Sequence, residues 1–253
     1  MTRVWRRVLL GVVFGATCLT SAGAAIGEGM TPLPSRVGLT VRGALAVPAA
    51  PEPAPIVLLH GICGEPRNSC AVLGEIARGD VVCARADMAC PAGGSMWSGG
   101  GAAIARIEAA VEDAARVSGR FDPSGPRVMV GFSQGAYVAM RAMRTQPGRY
   151  PAALLIGAFV KPTRRELESL GLKRLALVAG DYDGAAPTMR ASAAQLAAEG
   201  FDARYFSLGK VPHTYVGDDP QKLRDALTWT EAAVDDVTRG PAPGSDRSAH
   251  AAR

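Results

Sequence analysis

From residue 56 onward, short apolar runs alternate with stretches in which apolar residues recur every three or four positions. The runs are Ile56–His60, Asp80–Ala86, Arg127–Phe132, Ala152–Ala158, Arg174–Ala179 and Ala203–Ser207. They are too short for helices and apolar on successive residues, which predicts strands buried on both faces. The helical spacing covers Ala136 to Arg144, Ile104 to Val117, a run from near Thr188 to a stop at Gly200, and a segment from Pro220 to about Val237. Thr163 and Glu166 have the spacing of a capping box, and Asp219-Pro220 offers an N-cap followed by proline at the first helical position. Strands alternating with helices predict an α/β fold: a mostly parallel, doubly wound sheet with helices on both faces.

The ends of the chain read differently. Residues 1–24 begin with Arg3, Arg6 and Arg7, continue through the apolar Val8–Phe14, and reach Ala22-Gly23-Ala24. That order is the one expected of a cleaved secretory signal, and an uncleaved anchor is the competing reading. Residues 25–54 hold an alternating stretch, Val37 to Val47, that predicts one or two edge strands. Pro48, Pro51, Pro53 and Pro55 follow as a stiff connector. Residues 55–238 carry the alternating strands and helices as one domain, and 239–253 are small, polar and proline-containing, as expected of a disordered tail.

Composition then narrows the class. The chain has 253 residues and 48% apolar content, enough for a packed core. Its formal net charge is +5, but Arg3, Arg6 and Arg7 all lie in the leader. No basic block remains to suggest nucleic acid or an anionic membrane surface. Cys63, Cys70, Cys83 and Cys90 form an even set in a chain expected to be secreted or periplasmic, which points to two disulfides with three possible pairings. Metal binding is the alternative, although the spacings lack the tight Cys-x-x-Cys pairs that zinc favours.

Candidate chemistry centres on Gly131-Phe132-Ser133-Gln134-Gly135, where a strand runs into a helix. Such a turn lifts a serine hydroxyl out of the fold, with helix N–H groups behind it. The five-residue pattern is weak alone, so Ser133 must find a base. Of the histidines, His250 lies in the tail, and His60 comes early and reads as a structural tie for its loop. His213 lies between the last strand and the last helix, at the carboxyl edge where the serine turn also emerges. An isolated loop histidine would otherwise read as a surface residue. The carboxylate that orients the imidazole is expected from Gly180-Asp181-Tyr182-Asp183-Gly184, with Asp183 assigned the role and Asp181 the turn cap. Two N–H groups must hold the oxyanion, and they are expected from Gln134 and Ile62.

Together these residues resemble the α/β-hydrolases. Leu-His-Gly at 59–61, Gly-Phe-Ser-Gln-Gly at 131–135, Gly-Asp-Tyr-Asp at 180–183 and a late histidine follow the order Ser, Asp, His over about 55–237. Within that superfamily the chain is similar to the small, lidless carboxylesterase, lysophospholipase-like and dienelactone hydrolase-like branch. The Cys90-Pro91 loop ending in Met96-Trp97 belongs to the same likeness. The resemblance implies ester hydrolysis through a serine acyl-enzyme, with no cofactor or metal. A serine peptidase and a non-catalytic binding protein on the same fold are the rival readings. Ile62-Cys63-Gly64 departs from the family pattern, and the segment from Phe159 to Arg174 is too short for a cap domain. Met96 and Trp97 are expected to line the substrate pocket, with Trp97 packing on the sheet as the alternative. Gly99-Gly100-Gly101 reads as a hinge into a helix.

Overall fold

The computed structural model describes residues 29–46 and 52–239, and the backbone alone from 236 onward. The leader, Cys18, Val47, Pro48, Pro51, the tail and His250 lie outside the described residues. Ten strands and six helices follow one another among those described. They are β1 (Thr31–Pro32), β2 (Gly38–Arg42), β3 (Ile56–Leu59), α1 (Pro66–Gly74), β4 (Asp80–Ala84), β5 (Met88–Ala89), β6 (Ser95–Met96) and α2 (Gly101–Ser118). Then come β7 (Val128–Phe132), α3 (Gln134–Thr145), β8 (Ala152–Ile156), α4 (Arg164–Ser169), β9 (Arg174–Ala179), α5 (Ala186–Ala198), β10 (Asp202–Ser207) and α6 (Pro220–Arg239).

Eight strands make one sheet in the order β1-β2-β4-β3-β7-β8-β9-β10. β2 pairs antiparallel with β1 and β4, and every pairing from β4 to β10 is parallel. Strand apolarity on successive residues has its cause in the two faces. Val57, Leu59, Met129 and Leu155 face one core with α2, α3 and α5, whereas Ile56, Leu58, Val130 and Leu154 face another with α1 and α6. Parallel strands return by helical crossovers, so the ends of β3, β7, β9 and β10 all open at one edge.

The helix boundaries have identifiable caps, some of them expected from the sequence. Gly119 ends α2 in the left-handed conformation at φ +64°, and the Asp219 carboxylate accepts from the Gln221 N–H at 2.8 Å where α6 begins. Thr163 accepts from the Glu166 N–H at 3.2 Å, but the Glu166 carboxylate turns away to Arg144 instead of closing the box. The sequence pattern gives no sign of α1. Only its Cys70–Leu73 side is covered, so nine residues carry too few apolar positions to show a period.

The cysteines form two pairs, Cys63–Cys90 and Cys70–Cys83, with Cα separations of 5.2 and 5.8 Å. The second ties α1 to β4 within the core. The first ties the loop after β3 to the turn between β5 and β6, a short antiparallel pair whose two-residue strands left no readable alternation.

Candidate active site

Ser133 occupies the turn between β7 and α3 at φ +54° and ψ −118°, a conformation that an L-residue holds only under tertiary constraint. Its N–H donates to the Ile156 carbonyl at 2.8 Å, which anchors the turn to β8. Gly135 makes the turn sterically feasible. A Cβ there would come within 2.2 Å of the Leu59 carbonyl oxygen, so the helix can approach β3 only without a side chain.

One loop reaches that hydroxyl and a second reaches the first loop's imidazole. His213 Nε2 lies 2.9 Å from Ser133 Oγ, and His213 Nδ1 lies 2.8 Å from Asp183 Oδ2. The other Asp183 oxygen accepts from the Ala185 N–H at 2.9 Å. Asp183 is 6% exposed, so its carboxylate is fixed by the imidazole on one side and the helix entry on the other. With Asp183 accepting, the Nδ1 nitrogen carries the proton and Nε2 is left to accept from the serine. Asp181, the competing carboxylate, instead accepts from the Ser207 hydroxyl at 2.6 Å and ties its loop to the end of β10, in place of the expected turn cap. The Tyr182 N–H donates to the Val211 carbonyl at 3.2 Å, which locks the aspartate loop to the histidine loop. Phe132 supports the imidazole from below, with ring centroids 5.0 Å apart.

The loop after β3 closes the remaining side. Gly61 packs on the Phe132 ring and against Ser133, and Ile62 follows with an exposed side chain. His60 is buried and ties this loop down. Its Nδ1–H donates to the Gly61 carbonyl at 2.7 Å, while Nε2 faces the Ala86 N–H at 3.3 Å and the Ser95 hydroxyl at 3.2 Å. Burial pushes its pKa down, so it stays neutral with both nitrogens engaged.

Gln134 follows Ser133 at the first position of α3, where its N–H has no acceptor within the helix. Its side chain grips the Trp97 backbone twice, accepting from the Trp97 N–H at 2.9 Å and donating to the Trp97 carbonyl at 3.0 Å. The Trp97 indole N–H donates to the His60 carbonyl at 2.9 Å. Trp97 is only 3% exposed, so its ring braces the loop after β3, and it reaches the surface only at the edge of a cleft beside Gln134. Met96 precedes it in β6, half-buried.

Two features of the site are silent in the sequence. Gly157, just past β8, has φ +60°, and a Cβ on it would lie 2.9 Å from His213 and 3.0 Å from Asp183. The apolar pattern runs on through Ala158, whereas β8 ends at Ile156, so nothing in the sequence marks Gly157 as a turn. The second is Tyr137, one turn along α3, whose hydroxyl accepts from the Phe159 N–H at 2.9 Å. A helical tyrosine gives no hint of a partner in a loop beyond the next strand.

No family model matches the sequence, and no curated protein does either. Solved structures do. The chain is 19% identical to a structure described as esterase PE8, at a TM-score of 0.56, covering 77% of this chain and 98% of that one. A carboxylesterase from Mesorhizobium loti matches at 19% identity and a TM-score of 0.52, covering 85% and 100% of the two chains. An esterase from Pyrobaculum calidifontis matches at 16% identity and a TM-score of 0.54, with 83% and 85% covered. At these identities the likeness is one of fold, and the fold is that of the α/β-hydrolases.

Proposed function

We propose that this chain, which has the α/β-hydrolase fold, is an exported serine ester hydrolase. The observation that carries the reading is the file of contacts from Ser133 Oγ to His213 Nε2 at 2.9 Å and from Nδ1 to the buried Asp183 at 2.8 Å. In that arrangement His213 takes the serine proton as the oxygen attacks an ester carbonyl, and Asp183 stabilises the resulting imidazolium. The N–H groups of Gln134 and Ile62 hold the oxyanion, and His213 returns the proton to the departing alcohol. Water then attacks the acyl-enzyme by the same proton relay, releasing the acid and restoring Ser133.

The names of the three structural neighbours above, each an esterase, support ester over amide substrates. Ile62, Phe159, Tyr182 and Val216 are exposed and apolar, and each lies within three residues in sequence of a residue at or against the site, which fits a substrate with apolar parts. Two cystines and the leader pattern support export to an oxidising compartment.

A fluorophosphonate probe tests the assignment. One adduct on Ser133 is expected, together with turnover of p-nitrophenyl butyrate and not of peptide anilides. Ser133→Ala is expected to lower kcat/KM by at least about 10⁴-fold while leaving Tm nearly unchanged. Full labelling or appreciable turnover in that variant would refute the assignment, and faster cleavage of the anilides would make the chain a peptidase.

A further inference from the structure

The outer side of α3 runs away from Ser133, and Gln134, Tyr137, Val138, Arg141 and Arg144 share it at three- and four-residue spacing. With Trp97, Ser98 and Gly99 they line a cleft of about 360 Å³. A second cleft, about 270 Å³, lies on the other side of Tyr137 and is closed by Phe159, Lys161 and Glu166. Tyr137 and Arg144 line both, so the two clefts adjoin along α3 as one trough, and Gln134 is its lining residue next to the proposed nucleophile.

The charges in this trough are lopsided. No acidic residue lines the first cleft. Arg144 is engaged by Glu166 at 2.9 Å, whereas Arg141 is exposed and, among the described residues, has no ion-pair partner. Lys161 in the second cleft is likewise exposed and unpaired among the described residues. Arg141 lies eight residues past Ser133, about 12 Å along the helix axis, and helical side chains lean back toward the N-terminus. The intervening floor is the Tyr137 ring, 48% exposed, and the edge of Trp97.

We propose that Arg141 binds a carboxylate at the far end of the substrate, so that the preferred esters carry a second, ionised acid group separated from the scissile bond by an apolar chain lying over Tyr137. This rests on the hydrolase reading and adds the substrate class to it. Arg141 would act as a specificity residue: it touches substrate remote from the reacting carbonyl, so its contribution falls mainly on KM.

The test compares mono-p-nitrophenyl suberate with p-nitrophenyl octanoate, and acetate esters of long ω-hydroxy acids with acetates of the matching neutral alcohols. The first pair places the anion on the acyl side, the second on the alcohol side. At low ionic strength kcat/KM should favour the anionic member of at least one pair by roughly fivefold, and this ratio should shrink toward one near 1 M salt, where screening reaches about 3 Å. Arg141→Gln should bring the ratio close to one through KM, Arg141→Lys should keep part of it, and Arg165→Gln, an exposed cation outside both clefts, should leave it unchanged. A ratio near one for the native protein in both pairs, or one that survives Arg141→Gln, overturns the proposal while neutral-ester turnover leaves the hydrolase reading intact. Absence of turnover on every ester removes both.

Discussion

At the level of single residues, the site depends on positions where the backbone does what side chains usually forbid. Ser133 sits at φ +54° because the turn must present its hydroxyl above the sheet edge, and the surrounding bonds hold it there. Gly157 is the complementary case, since the space a side chain would need is filled by the imidazole and the carboxylate. Gly157→Ala should cost about 1 kcal/mol for the left-handed backbone. Its Cβ should also prise His213 from Asp183, and a displacement of about 1 Å at such a site costs about a hundredfold in rate. The expected result is a hundredfold lower kcat on p-nitrophenyl butyrate with only a modest fall in Tm. Near-native kcat in a folded variant would show that Gly157 merely fills the turn.

At the level of elements, the loop after β3 and the β5–β6 turn act as one unit. The Cys63–Cys90 bond, the Ser95 N–H to Gly64 carbonyl bond at 3.1 Å, and the ties through His60 and Trp97 all join them. The unit carries Ile62, the proposed oxyanion donor, and also grips Gln134, the other donor. Cys70–Cys83 by contrast lies in the core, 0% and 1% exposed, and touches no proposed catalytic group. Replacing either pair with serines should cost about 3 kcal/mol of stability. Only Cys63→Ser/Cys90→Ser should also lower kcat, by roughly tenfold, because a loosened donor forfeits part of the 10²- to 10³-fold that one is worth. Equal kcat losses in the two double variants, measured well below Tm, would break that link.

At the level of the whole molecule, the buried Asp80 ion cluster and the proposed catalytic groups occupy opposite edges of the sheet. Asp80 opens β4 at the edge away from Ser133, 2% exposed, and receives Arg120 at 2.8 Å and Arg42 at 3.5 Å. It ties the end of β2 and the residues just past α2 to the start of β4. Removing it costs Arg120 its partner, while Arg42 keeps Glu52 at 2.8 Å and both cations reach water, so Asp80→Ala should cost about 1–2 kcal/mol by chemical denaturation. The ester kcat/KM should stay within about twofold, as expected of positions far from the reacting atoms. A matching loss of activity would mean that the two edges are coupled. The parallel sheet itself was legible because strands buried on both faces must be apolar on successive residues, as Ile56–Leu59 and Leu175–Ala179 are. α1 was not, because a helix covered on a single narrow side needs only Cys70 and Leu73 as anchors.

Local order along the chain was enough to specify the strand–turn–helix at Ser133, the alternation of strands with helices, and the sequence of serine, aspartate and histidine. Those features are written in neighbouring residues, where backbone sterics and hydrophobic period act directly. Which cysteines pair, that Asp181 binds Ser207, and why residue 157 has no side chain depended on segments brought together across the sheet. Contacts between residues distant in sequence leave no period to read, and only the folded chain places them within bonding distance.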